Sequence, residues 1–163
     1  ISLQVDKSFE IGDWVEVTNG AQKTVGLVKE ITWRATVFTG WTEELITIPN
    51  RVLANSQIAN FSLGYQPIIR SHSFRFDYAT DIPTVKKILL ESVKDISSIR
   101  SWPEPVAIIS ETTDSWITVK LVYYIDNYGT QVAVMDQVVE AALSSLKTFG
   151  ISTANQRIEI HNK

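Results

Sequence analysis

His72 and His161 are the only imidazoles in these 163 residues, and there is no cysteine. A zinc centre would have to lean on carboxylates, and thiol nucleophiles and disulfides are excluded together. His72 shares a strand face with Phe74 and Phe76, which marks it as a hydrogen-bonded structural histidine. His161, near the chain end, is expected in solvent. Neither is accompanied by a serine and a carboxylate at a spacing that suggests a triad, a constellation defined by geometry in any case. The seven glycines are scattered and form neither the G-x-G-x-x-G nor the P-loop spacing that cradles phosphate. No catalytic residue, cofactor site or metal site is expected, and the chain does not read as an enzyme.

The five tryptophans could stack on bases or sugars. Trp14, Trp33 and Trp116 fall in strand-like stretches, where packing in a core or against a neighbouring chain is expected. Trp41 beside Gly40 and Trp102 before Pro103 lie in turns, open to a neighbouring chain, to a lipid headgroup zone or to simple packing. Nucleic acid requires a concentrated basic patch, and none exists. Residues 1–62 carry 5 basic against 7 acidic groups and the remainder 10 against 11, for a net charge of -3. Glu43-Glu44 and Lys86-Lys87 read as solvated faces.

The elements that must position these residues fall into two halves. With 44% apolar and 20% charged residues the chain is expected to fold throughout. No window reaches the ~20 apolar residues of a membrane-spanning helix, and the N-terminus lacks a signal pattern. Residues 9–62 show short strands broken by turns: Phe9 to Val17, a tight turn at Asn19-Gly20, and a nearly continuous β-prone stretch from Val25 to Phe38. Gly26 inside that stretch predicts a bulge or a barrel bend. Gly12-Asp13 predicts the turn entering the first strand. Leu45, Ile46 and Ile48 predict a strand stopped by Pro49, after which Asn50 is expected to cap one or two helical turns through its side-chain oxygen. Ile58 to Ser62 predicts a last short strand.

Beyond residue 62 the period changes. Ile68 to Tyr78 predicts a strand, Asp81 the cap of a helix buried through Val85, Ile88, Leu89, Val93 and Ile96. Pro103 to Ser110 predicts a strand, Glu111 to Ser115 a turn, and Trp116 to Ile125 a strand that alternates from Ile117 to Ile125. A second helix is expected from Thr130 to Phe149, with Met135, Val138, Val139, Ala142, Leu143 and Leu146 as its stripe and Gly150 at its C-terminal end. Ile158 and Ile160 mark a final strand. The fold class is thus β plus α/β: a small Sm-like β-barrel or sandwich, then a ferredoxin-like βαββαβ sandwich.

The fragments Phe9-Glu10-Ile11-Gly12-Asp13-Trp14-Val15, Gly26-Leu27-Val28-Lys29-Glu30-Ile31, Arg34-Ala35-Thr36, Ile48-Pro49-Asn50 and Ile58-Ala59-Asn60-Phe61-Ser62, in that order, resemble the β domain of small-conductance mechanosensitive (MscS) channels. The resemblance is specific over 9–62 and architectural over 63–163. It implies a homo-oligomeric ring, a heptamer, whose pore-lining membrane helix leads into the β domain, while the α/β module builds a cytosolic vestibule with lateral openings. Residues 1–8 would be the end of that helix or its junction, 9–62 the β domain and 63–163 the α+β domain. The chain opens on Ile1 without a Met, and membrane segments are expected upstream. The implied partners are copies of itself, the bilayer through those missing segments, and ions and small solutes. The full-length protein would be integral to an inner or plasma membrane, with this part facing the cytoplasm.

The motif residues Gly12, Asp13, Gly26, Pro49, Asn50 and Asn60 are expected to shape the fold; the sharper alternative has Asn50 and its neighbours relay movement from the membrane-helix junction. The fold class alone also fits a free-standing Sm-like barrel for RNA joined to a ferredoxin-like module for a small ligand. The missing basic patch speaks against RNA. Acylphosphatase-type catalysis would need an arginine-bearing phosphate loop between the first strand and first helix of the second half, where none is found.

Overall fold

The computed structural model describes residues 8–62 and 66–154. The chain divides into two compact units: one runs to Gln66 and includes Asn127–Gly129, and the other comprises Pro67–Asp126 and the chain from Thr130.

The first unit is a five-stranded antiparallel sheet built from β1 (Trp14–Asn19), β2 (Gln22–Ile31), β3 (Ala35–Thr39), β4 (Leu45–Pro49) and β5 (Gln57–Asn60), with the short helix α1 (Asn50–Leu53) before β5. The sheet order is β4-β3-β2-β1-β5. Alternation puts Val15, Val17, Val28 and Phe38 in one small core with Leu53, and Phe9, Ile46, Ile48 and Ile58 pack around it. The hairpin at Asn19–Gln22 has positive φ at Gly20 (59°) and not at Ala21, so the left-handed requirement falls on glycine alone.

Two expectations are corrected here. The stretch Val25 to Phe38 is two strands, not one, and Trp33 sits in the turn between them. The bulge lies at Lys29, where the β2–β3 register shifts between Val28 and Glu30, and not at Gly26. Gly26 is glycine for a different reason: a Cβ there would stand 2.8 Å from the Phe38 Cβ and 3.0 Å from the Thr39 carbonyl oxygen. It permits a close approach of neighbouring strands.

The second unit lays two helices on a three-stranded antiparallel sheet. Its elements are β6 (Ile68–Phe76), α2 (Ile82–Val93), β7 (Val106–Thr112), β8 (Ile117–Ile125) and α3 (Gln131–Thr148), with sheet order β6-β8-β7. The strands joined through α2 are therefore separated by β8, which is the split arrangement expected. Val119, Leu121, Tyr123 and Ile125 of the central strand are completely buried, and meet Val85, Leu89 and Val93 of α2 and Val134, Val138, Ala142 and Leu146 of α3. The α3 stripe is thus a strict four-residue repeat that includes Val134. Met135 and Leu143, expected inside, are 41% and 45% exposed. Ile96 follows the end of α2 and packs on the core from the loop, and β7 runs on to Thr112, through residues expected to turn.

Helix ends differ in how they are satisfied. Asp81 occupies the N-cap position of α2, but its carboxylate accepts from the Thr84 hydroxyl and not from the main chain. At the other end of α3, Gly150 (φ 69°) donates to Lys147 and Ile151 donates to Leu146, with Ile151 packed on the core. This is the paired C-terminal closure that favours glycine. The expected strand at Ile158 and Ile160, His161 and the junction over the first residues lie outside the described residues.

Candidate functional site

The motif residues of the first unit form two polar fastenings at one end of its sheet. The first holds the entering chain. Asp13 donates its N–H to the Glu10 carbonyl (3.1 Å), closing a turn whose third residue, Gly12, has φ 95°. That geometry requires a residue without a side chain. The Asp13 carboxylate accepts from the Glu10 N–H (2.9 Å) and from Asn60 Nδ2 (2.8 Å). The same Asn60 nitrogen donates to the Ser8 carbonyl (3.0 Å), while its Oδ1 accepts from the Ser62 N–H (2.8 Å). Main-chain bonds from Gly12 to Val28, Val28 to Asp13 and Phe61 to Trp14, each 2.8 Å, complete the seam. One amide at the end of β5 therefore ties down residues that precede β1.

The second fastening holds the β2–β3 turn and corrects the expectation for Asn50. Pro49, the last residue of β4, is the N-cap of α1, and there is no side-chain cap. Asn50 instead donates through Nδ2 to the Thr32 carbonyl (2.8 Å) and through its N–H to the Arg34 carbonyl (2.9 Å). Its Oδ1 accepts from the hydroxyl of Thr36 (2.9 Å), which is 1% exposed. Thr32 closes the turn on itself, its N–H donating to the Ala35 carbonyl (2.9 Å) and its hydroxyl oxygen accepting from the Ala35 N–H (3.1 Å). What this rigid turn presents is Trp33, 87% exposed, with the Arg34 guanidinium carbon 5.3 Å from its ring centroid.

An aromatic cluster lines the same unit. Trp14 stacks on Trp41 (4.5 Å between centroids) and Phe61 on Tyr128 (4.3 Å), with Tyr128 also 5.5 Å from Trp14. Trp41 packs in this cluster while keeping 44% of its surface exposed, and the two most exposed tryptophans are Trp33 (87%) and Trp102 (73%). A Cβ at Gly129 would stand 2.9 Å from Trp14 Nε1, so glycine there lets the loop close on the indole. Nothing local in the sequence announces that residues 127–129 join this unit.

The titrating groups are structural. His72 Nε2 lies 3.0 Å from the Tyr123 hydroxyl, and burial lowers the His72 pKa from its usual value and raises that of Tyr123. This is the hydrogen-bonded histidine expected. Glu44 is not simply a solvated charge: the Thr42 hydroxyl, its own N–H and the Thr42 N–H hold its pKa low, and it fills the space a Cβ at Gly40 would need. Among the described residues no three His, Asp or Glu are grouped to hold a metal ion, and no helix is long and apolar enough to cross a membrane.

Comparison with known families decides what such an arrangement belongs to. The mechanosensitive ion channel beta-domain matches residues 1–63, and the C-terminal domain of the mechanosensitive ion channel MscS matches residues 71–153, about half of the chain. The chain belongs to the MscS family of mechanosensitive ion channels. It is 29% identical over 133 residues to the small-conductance mechanosensitive channel MscMJ of Methanocaldococcus jannaschii, covering 79% of this chain and 36% of that protein. It is 33% identical over 87 residues to an uncharacterised MscS family protein, YhdY, of Bacillus subtilis, covering 53% of this chain and 22% of that one. The chain thus spans about a third or less of these curated relatives. The crystal structure of Helicobacter pylori MscS in a closed state superposes with a TM-score of 0.84 over 98% of this chain and 61% of that one, at 19% identity, a likeness of fold.

In this MscS-family chain Gly12, Asp13 and Asn60 meet in the first fastening and Asn50, which follows Pro49, forms the second, while Gly26 belongs to neither. Thr32, Thr36 and Trp33 are the participants that sequence reasoning missed. A threonine two residues before an arginine in a tight turn was the available signal for the self-closing turn.

Proposed function

We propose that this chain is the extramembrane portion of a channel subunit that opens under bilayer tension. Residues 1–8 continue from a pore-lining membrane helix, 9–62 form the β domain and 63–163 the α+β domain. Identical subunits assemble in a ring, seven by family likeness, enclosing a vestibule on the cytoplasmic side of an inner or plasma membrane through which ions and small solutes reach the pore. An odd-numbered ring is head-to-tail, so each subunit offers two different faces to its neighbours. The chain carries out no catalysis and reads no nucleic acid. Tension acts as any effector does, by favouring one of two conformations.

The observation that carries this reading is the first fastening. Asn60 binds both the Ser8 carbonyl and the Asp13 carboxylate, so a displacement of the chain ahead of Ser8 is delivered to the sheet at β5 and β1 and not absorbed in a slack linker. The test is patch recording from the full-length protein reconstituted in liposomes under graded suction, with native mass spectrometry for the subunit count. Tension-gated currents from a ring of identical subunits are expected. Silence up to the lytic tension of the membrane overturns the proposal.

A further inference from the structure

The β2–β3 turn is built to hold an amphipathic side-chain pair away from its own unit. Trp33 is 87% exposed and Arg34 lies over it, and neither touches the core. Arg34 makes no ion pair among the described residues. Five hydrogen bonds from Asn50, Thr32 and Ala35 hold the backbone that carries them. An exposed tryptophan on a floppy loop would be unremarkable; one on a pinned turn is positioned.

Topology gives its direction. In the antiparallel pairing Trp14 lies opposite Leu27, so β2 runs past the start of β1 and its C-terminal end, with the turn after it, lies at the end of the sheet where the chain enters. Gly12 bonding to Val28 fixes the same relation. Two further apolar side chains stand exposed at this end, Ile11 in the entry turn (64%) and Ile31 just before Thr32 (41%). The charges there are mixed: Lys29, Arg34 and Arg51 against Glu10 and Glu30, all exposed. Such an end has no reason to prefer a strongly anionic surface. Its chemistry is that of the water–hydrocarbon boundary, where an indole buries its apolar body while its N–H stays wet, and a guanidinium binds phosphate in a fork.

We infer that the turn Thr32–Arg34 anchors the β unit to the lipid headgroup zone, with the Trp33 indole entering that zone and Arg34 taking a lipid phosphate. The inference rests on the proposed function in one respect, that the chain ahead of Ser8 lies in the bilayer. A turn at the entry end then faces the membrane, and the ring multiplies one weak anchor by the number of subunits.

The experiment places a nitroxide at Trp33→Cys in the full-length channel, other cysteines replaced, reconstituted in phosphatidylcholine–phosphatidylglycerol vesicles. Collision with oxygen and with a water-soluble nickel complex is compared with a label at Ala21→Cys, in the hairpin at the opposite end of the same sheet. Headgroup insertion makes the Trp33 label several-fold richer in oxygen over nickel collisions than the Ala21 label; an Arg34→Cys label gives an independent reading from the same turn. Equal nickel access at both ends of the sheet overturns the anchor, and so does shielding of the Trp33 label from both reagents, the signature of protein contact. Recordings from the same vesicles keep the two proposals apart. Tension-gated current with a water-exposed Trp33 label defeats the anchor alone, whereas absence of current defeats the function.

Discussion

At the scale of single residues, the motif asparagines work through hydrogen-bond geometry that charge alone cannot replace. Asn60 uses Nδ2 to donate to a carbonyl and a carboxylate at once. Asn60→Asp removes both donors and sets a second carboxylate against Asp13; Asn60→Ala removes the donors and the oxygen that accepts from the Ser62 N–H, without adding a charge. The aspartate variant is expected to be the less stable of the two, with the alanine variant losing about 1–2 kcal/mol for the unpaired partners. Urea midpoints of the first unit check the order, and an aspartate variant as stable as wild type rejects the fastening as described. His72 has a different consequence, because burial lowers its native pKa while the unfolded chain titrates near 6.5. The unfolded state then takes up the proton first as pH falls, so the neutral-histidine contribution is full above about pH 6.5 and is lost as pH falls from there towards the lower native value. Urea midpoints of the second unit measured from about pH 7.5 to 5 should decline more steeply for wild type than for His72→Gln. Parallel curves would show that the burial of His72 carries no such linkage.

At the scale of elements, Gly26 decides how closely β2 and β3 approach. Gly26→Ala would place a Cβ 2.8 Å from the Phe38 Cβ, an atom that cannot swing aside because Phe38 is buried in the small core. The strands must part, and a loss of about 1–3 kcal/mol is expected, the usual cost of overpacking. Equilibrium unfolding measures it, and an unchanged midpoint would mean that the sheet relaxes freely at this point. Much of the element pattern was legible beforehand: alternation over Ile117 to Ile125, the α2 face at Val85, Ile88, Leu89 and Val93, and glycine at the end of α3 each follow from local period or local dihedral. Less legible was anything set by partners distant in the chain. Asn50 after Pro49 has the local signature of a cap, yet its side chain meets Thr32 and Thr36 because strand pairing brings them there. On α3, Met135 and Leu143 fit a helical stripe as well as Val134 does, and only the position of the sheet selects between the two faces. Gly26 suggests a bulge or a bend, because a glycine in a strand announces its freedom but not which neighbour requires it.

At the scale of the molecule, two separate cores imply two separate thresholds. Among the described residues, five buried hydrophobic side chains form the core of the first unit, whereas sixteen form that of the second. Small cores bury a smaller share of the surface that unfolding exposes, so the first unit should yield to urea first. Phe38→Ala is expected to move that earlier transition and Leu89→Ala the later one, each by about 3–5 and 2–5 kcal/mol respectively. The loop after β8 supplies the sharper test. Tyr128 lies in sequence between β8 and α3, both elements of the second unit, but stacks on Phe61 at 4.3 Å and belongs with the first. Tyr128→Ala should therefore lower the transition that Phe38→Ala lowers, by about 1–3 kcal/mol for the lost aromatic contact and its buried area. Tryptophan fluorescence reports the early step through Trp14 and Trp41 beside it, and circular dichroism of α2 and α3 reports the late one. If Tyr128→Ala moves only the helical transition, or if one transition covers both signals and all three variants shift it alike, residues 127–129 do not stabilise the β unit as an independently folding body.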